Sequence, residues 1–178
     1  AGLTATMDAV FGDVQLVSIA DRLQPVGPLT RIAIMDSCIG YIPGFYAGFD
    51  APSGVTALQA IANAADSKVE FCGRYDITIT EEDWLPMAFM KYLADNGELR
   101  NERAMESVPG WGASIEYVRS GRAELKHVES DHHSAQAKVD HKLPGTNFGR
   151  RAKRGEQDPV CTAALNHYEY VRQHIKRV

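Results

Sequence analysis

The sequence predicts an all-β protein, an antiparallel sandwich or barrel. Three observations predict it. Six to eight short runs of alternating or β-branched apolar residues are spread along the 178 residues. Glycines and prolines fall between them where turns between short strands belong. One segment alone carries a clear helical period.

Taken in order, Asp13 to Asp21 (DVQLVSIAD) sets Val14 and Leu16 on one face, as a first strand does. Gln24 to Pro28 is a loop bounded by Pro and Gly. Thr30 to Ser37 (TRIAIMDS) alternates Ile32 and Ile34 and is read as a strand. Cys38 to Asp50 (CIGYIPGFYAGFD) mixes aromatics and glycines without a helical period. It gives a strand from about Gly44 to the turn Ala51-Pro52-Ser53-Gly54. Thr56 to Asp66 (TALQAIANAAD) is the helix, with Leu58, Ile61 and Ala62 on one face.

Lys68 to Thr80 (KVEFCGRYDITIT) returns to alternation through Val69, Phe71, Tyr75, Ile77 and Ile79, with Gly73 as a bulge. Trp84 to Leu93 is apolar, and Pro86 argues against an uninterrupted helix there. Asp95-Asn96-Gly97 is a turn signal opening a polar loop that runs to Pro109. Ala113 to Glu129 predicts a hairpin, with Ile115 and Tyr117 on one arm, Ser120-Gly121 at the turn, and Leu125 and His127 on the return. A further strand is read over Ala135 to His141, and a polar, basic loop over Gly145 to Asp158. Cys161 to Val178 has two readings. One is a helix with Ala164, Leu165, Tyr168, Val171 and Ile175 on one face; the other is a last strand and a tail.

Composition bounds the rest. The length suits one domain with its own core, and 44% hydrophobic with 24% charged residues is ordinary for a globular chain. No apolar run is long enough to span a membrane, and the first ten residues do not have the pattern of a signal peptide. A start at Ala1 fits loss of an initiator Met or release from a precursor. Cys38, Cys72 and Cys161 are widely spaced with no CxxC pair, so they are read as free thiols of a reducing compartment. The net charge of −4 is unevenly spread. Residues 1–137 hold 10 Lys and Arg against 19 Asp and Glu; residues 138–178 hold 9 against 4. A basic end on an acidic body suits an anionic partner.

All six histidines lie in the last third: His127, His132, His133, His141, His167 and His174. Asp131-His132-His133 and Asp140-His141 offer ligand types for Zn²⁺ or Mn²⁺, and the His pair with Asn166-His167 has a weak likeness to a His-Asn-His nuclease. The spacing lacks an HExxH pattern, so solvated or structural histidines are the preferred reading. No nucleophile motif and no phosphate-binding glycine loop is present. Glu81-Glu82-Asp83 reads as a solvated turn. Arg150, Arg151, Lys153 and Arg154, beside Phe148, are the candidate RNA contacts.

The succession of an early strand, GFYAGFDAPSG, TALQAIANAAD, KVEFCGRYDITIT, WLPM and GWGASIEYVRSG resembles the jelly-roll capsid domains of picorna-like plant viruses of the secovirus group, over roughly residues 10–130. In size it is similar to the middle-sized of the three capsid proteins of a cheravirus. The resemblance implies an eight-stranded jelly-roll β-sandwich with one or two short helices, forming a single domain over 1–178 with 142–178 as basic loop and C-terminal segment. It implies a structural capsid subunit, not an enzyme, cut from a polyprotein. Such a subunit assembles with two other jelly-roll capsid proteins into a pseudo-T=3 icosahedral shell around positive-strand RNA. It has no catalytic residue, metal ligand or cofactor and no membrane partner. Its place is the virion, and the host cytoplasm during assembly. Two alternatives stand beside it: a small metal-dependent hydrolase or nuclease using the His/Asp cluster, and a non-viral β-sandwich binding module.

Overall fold

The structure, a computed structural model, describes residues 2–95, 108–118, 126–149 and 156–178. Among the described residues seven strands are present: β1 (Thr4–Phe11), β2 (Leu16–Val17), β3 (Pro25–Gly27), β4 (Thr30–Asp36), β5 (Gly44–Gly48), β6 (Lys91–Asp95) and β7 (Ser114–Val118). Four α-helices accompany them in the same residues: α1 (Gly54–Ala65), α2 (Lys68–Gly73), α3 (Lys126–Lys138) and α4 (His167–Ile175). Five strands form one mixed sheet in the order β5-β4-β1-β6-β7, and β2-β3 is a separate two-stranded ribbon. β1 pairs antiparallel with β4, and β4 with β5. β6 runs parallel to β1, and β7 parallel to β6.

The antiparallel eight-stranded sandwich is therefore overturned, and the jelly-roll domain with it. Parallel neighbours need long crossovers, and the chain supplies one between β5 and β6 that contains α1 and α2. The expected strand over Lys68 to Thr80 is α2 followed by turns. Alternation over so short a run does not separate a strand from one turn of helix. Of the expected return arm, His127 lies in α3 and Leu125 lies outside the described residues; the strand over Ala135 to His141 is the end of α3 plus a 3₁₀ turn, Asp140–Lys142. The turn at Ser120-Gly121 lies outside the described residues. Of the two readings of the C-terminus, the structure takes the helix, as α4.

α1 is set by its ends and its alanines. Ser53 caps it in a reciprocal box with Thr56. Ala57, Ala60, Ile61 and Ala64 recur at helical spacing and pack on Ala5, Met7, Ile32, Ile34, Tyr92 and Ala94. The approach is so close that a Cβ on Gly44 of β5 would stand 2.7 Å from the Ala64 Cα, which makes glycine obligatory there. At the other end, the fully buried Lys68 donates to the carbonyls of Asn63 and Asp66 and lies over the Trp84 ring. A cation at a helix C-terminus meets the exposed carbonyls favourably. Burial nonetheless lowers the Lys68 pKa to about 8.

The opposite face of the sheet is covered by α3 and α4. Val128 of α3 packs on Ala33 and Met35. Tyr170, Val171 and Ile175 of α4 join Val14, Leu16, Leu29, Phe45 and Trp84 in a second core. The sheet is thus sandwiched between helices, an α/β layering. Along the β5 edge, Asn63 Oδ1 accepts from the Phe45 N–H at 3.0 Å, and His167 Nε2 reaches the Ala47 carbonyl at 3.3 Å.

Candidate functional site

β1 and β6 bring two acidic residues to one end of the sheet. Their parallel register runs from Thr4 beside Lys91 to Met7 beside Ala94. The next residue on each strand is Asp8 and Asp95. Ala5 and Met7 pack toward α1, so alternation turns the half-buried Asp8 to the face that α3 covers. α3 is tied to β1 at two points: His132 Nε2 lies 3.0 Å from the Asp8 carbonyl oxygen, and Gln136 donates to the Phe11 carbonyl at 3.4 Å. Helix and strand therefore advance in the same sense. Glu129, exposed, precedes His132 by three residues, nearly one turn toward the start of α3. Among the described residues no three His, Cys, Asp or Glu side chains are grouped to hold a metal ion; the Asp95 side chain lies outside them.

Behind this edge lies a buried polar network. Asp140 is fully buried and accepts from Tyr170 Oη at 3.0 Å, from His174 Nε2 at 2.8 Å and from the Asp13 N–H at 3.4 Å. The buried Arg31 guanidinium lies 3.0 Å from His174 Nδ1. A guanidinium only donates, so Nδ1 accepts and the hydrogen sits on Nε2, pointing at Asp140. Burial alone would raise the Asp140 carboxyl, but the His174 hydrogen bond, with the Arg31 charge and the Tyr170 hydroxyl, holds it below the ordinary range. Burial, aided by Arg31, lowers the His174 pKa against the pull of Asp140. Burial and the Arg31 charge take His132 down to about 3.

The His/Asp group that the sequence offered as an alternative metal site is spread across the fold. Asp131 pairs with Arg177 at 2.7 Å, His141 with Asp13 at 3.1 Å, and His133 is exposed. Asn166 caps α4, and His167 contacts β5. Asp83 accepts from the Thr80 N–H and hydroxyl, the expected solvated turn. Cys38, Cys72 and Cys161 are free thiols. Arg150, Arg151, Lys153 and Arg154 lie outside the described residues. Asp8 and Glu129 were not singled out by sequence reasoning, and Asp95 entered only as a turn residue. The available signal was a charge set within an otherwise apolar β1 stretch, TATMDAVF.

The buried histidines make the fold acid-sensitive. His132 and His174 are neutral in the native state, whereas in the unfolded chain they protonate near pH 6.5. Between that pH and the lowered native values the unfolded state binds more protons, so stability falls as pH falls. For His132 alone the loss by pH 5 is about 2 kcal/mol. Denaturant midpoints measured from pH 7 to 5 should decline at constant slope; a flat profile would contradict neutral burial.

Comparison with known proteins follows from this geometry. The family model of the TnsB C-terminal domain matches residues 6–145. The Transposon Tn7 transposition protein TnsB of Escherichia coli is 34% identical over 169 residues, which are 93% of this chain and 24% of that protein. The chain thus spans about a quarter of that relative's length. A crystal structure of the catalytic core domain of BIV integrase aligns over 99% of both chains, with a TM-score of 0.48 and 10% identity. These findings overturn the capsid resemblance, because the match over β1 to α3 is to a transposition protein. The expectations that followed from it, a non-enzymatic shell subunit with capsid and RNA partners in a virion, are corrected with it. They rested on an order of apolar runs that any protein with short strands and one early helix can share. With the family model covering most of the chain, from within the central strand through the helix bearing Glu129, the protein belongs to the TnsB C-terminal domain family.

Proposed function

We propose that this domain carries the strand-cutting and strand-joining site of a DNA transposition protein, with Asp8, Asp95 and Glu129 as ligands for divalent metal ions. The observation behind it is the β1–β6 register, which sets Asp8 and Asp95 on adjacent strands, together with the His132 contact that ties α3, the helix bearing Glu129, to the Asp8 backbone. Three carboxylates offer only hard oxygen donors, the set that suits Mg²⁺ or Mn²⁺ and not Zn²⁺. Bound there, such ions supply Lewis acidity toward a phosphate oxygen and a more acidic water. The protein's part is to fix the carboxylates on a rigid sheet and a tied helix. Without a cation the three charges repel one another, which makes the site an electrostatic trap for divalent ions.

The reading predicts saturable Mn²⁺ binding to the 178-residue chain, measured by titration calorimetry. Asp8→Asn and Glu129→Gln should each weaken it by tenfold or more. Equal affinity in all three proteins would refute the assignment.

A further inference from the structure

We propose that His132 is a positioning residue for the carboxylate site: its hydrogen bond to the Asp8 carbonyl oxygen sets α3 at the height and rotation that bring Glu129 beside Asp8. The inference rests on reading Asp8, Asp95 and Glu129 as metal ligands.

Four observations carry it. A carbonyl oxygen only accepts, so His132 Nε2 bears the hydrogen and donates across 3.0 Å. The bond joins the helix that bears one carboxylate to the backbone of the residue that bears another. It spans 124 positions in sequence, so it fixes tertiary and not local geometry. Second, the apolar hold of α3 is slight. Its buried face consists of Val128, His132 and Ala135, and one small and one medium apolar side chain leave helix rotation weakly determined. Side chain to backbone bonds from His132 and Gln136 supply what packing does not.

Third, His132 is a costly choice for a core position. It is 3% exposed, and its Nδ1 is buried with no hydrogen-bond partner among the described residues. An orphaned buried nitrogen carries a desolvation cost that Leu or Phe in the same space would not. A local rule is broken here for a single directed bond, and such breaks concentrate at functional sites. Fourth, the spacing is right. Glu129 lies three residues before His132, so the two share one side of the helix, and a tilt or slide of α3 at His132 carries Glu129 with it. Ligands to a metal are commonly oriented by outer hydrogen bonds, whose loss weakens binding by about 10–100-fold.

The test is Mn²⁺ titration calorimetry on the 178-residue chain, with circular dichroism and thermal melts of every variant. His132→Phe fills the space without a donor; His132→Gln keeps an N–H at similar reach. His132→Phe should weaken Mn²⁺ at least tenfold. His132→Gln should restore affinity to within about threefold of the parent, which a purely space-filling role would not produce. In a Glu129→Gln background, His132→Phe should cause no further loss, because the residue acts through Glu129. If His132→Phe does not fold, His132→Asn replaces it; its amide ends short of the carbonyl, and the same weakening is expected.

Unchanged affinity in a folded His132→Phe or His132→Asn protein overturns the positioning role and leaves the carboxylate reading standing. An equal loss in the Glu129→Gln background also overturns it. Failure of the parent protein to bind Mn²⁺ at all overturns the carboxylate reading and this inference together.

Discussion

With Asp8 as a ligand of the proposed metal site, Asp8→Asn is expected to abolish DNA strand cleavage, by about a thousandfold or more, while the protein stays folded. The substitution preserves shape and removes one charge from a site whose contribution is to gather charge around a divalent ion. Losing one preorganised electrostatic group in a water-poor site commonly costs a factor of about 10²–10³, and loss of a metal ligand adds reduced occupancy. The backbone of Asp8 remains in the β1–β4 ladder opposite Ala33, and its carbonyl still accepts from His132. The melting midpoint should therefore move by only a few degrees. Cleavage of transposon-end DNA in Mg²⁺ or Mn²⁺, with the melt alongside, checks both halves. Retained cleavage would remove Asp8 from the site.

The second large effect is on stability. Asp140→Ala removes the acceptor shared by Tyr170, His174 and the Asp13 N–H, all in the interior. Arg31 then keeps its charge with the carboxylate it stabilises gone, and Nη2 of that guanidinium already has no hydrogen-bond partner among the described residues. Breaking a buried ionic network by removing one member costs about 3–5 kcal/mol, which for a chain of this length is a fall in melting temperature on the order of 10 °C. Asp140→Asn keeps the volume and one acceptor oxygen and should cost clearly less. A loss below about 1 kcal/mol for Asp140→Ala, by chemical denaturation, would show that the network is decorative.

The β4–β5 side of the sheet was legible in the sequence, and the centre was not. β4 and β5 announce themselves by Ile32 and Ile34 and by aromatic residues beside Gly44, and α1 by its apolar spacing. β1 escaped because its apolar face carries two small alanines, Ala5 and Ala9, and its other face mixes Thr6, Asp8 and Val10, so the alternation is faint. α3 escaped for a similar reason. Of its buried positions only Val128 and Ala135 are apolar, and the third is a histidine that looked like a metal ligand. The His/Asp cluster was conspicuous because composition concentrates there, yet the fold spends those side chains on internal bonds. The placing of Asp8 and Asp95 on adjacent strands depends on parallel pairing between strands more than eighty residues apart, and no local pattern encodes it.

Asn63 and His167 occupy the outward backbone groups of Phe45 and Ala47, so one flank of the sheet is closed to incoming strands. Copies of the protein cannot zip together there into a ribbon. Contact through that side has to be made by side chains, which separate more readily than a continuous ladder.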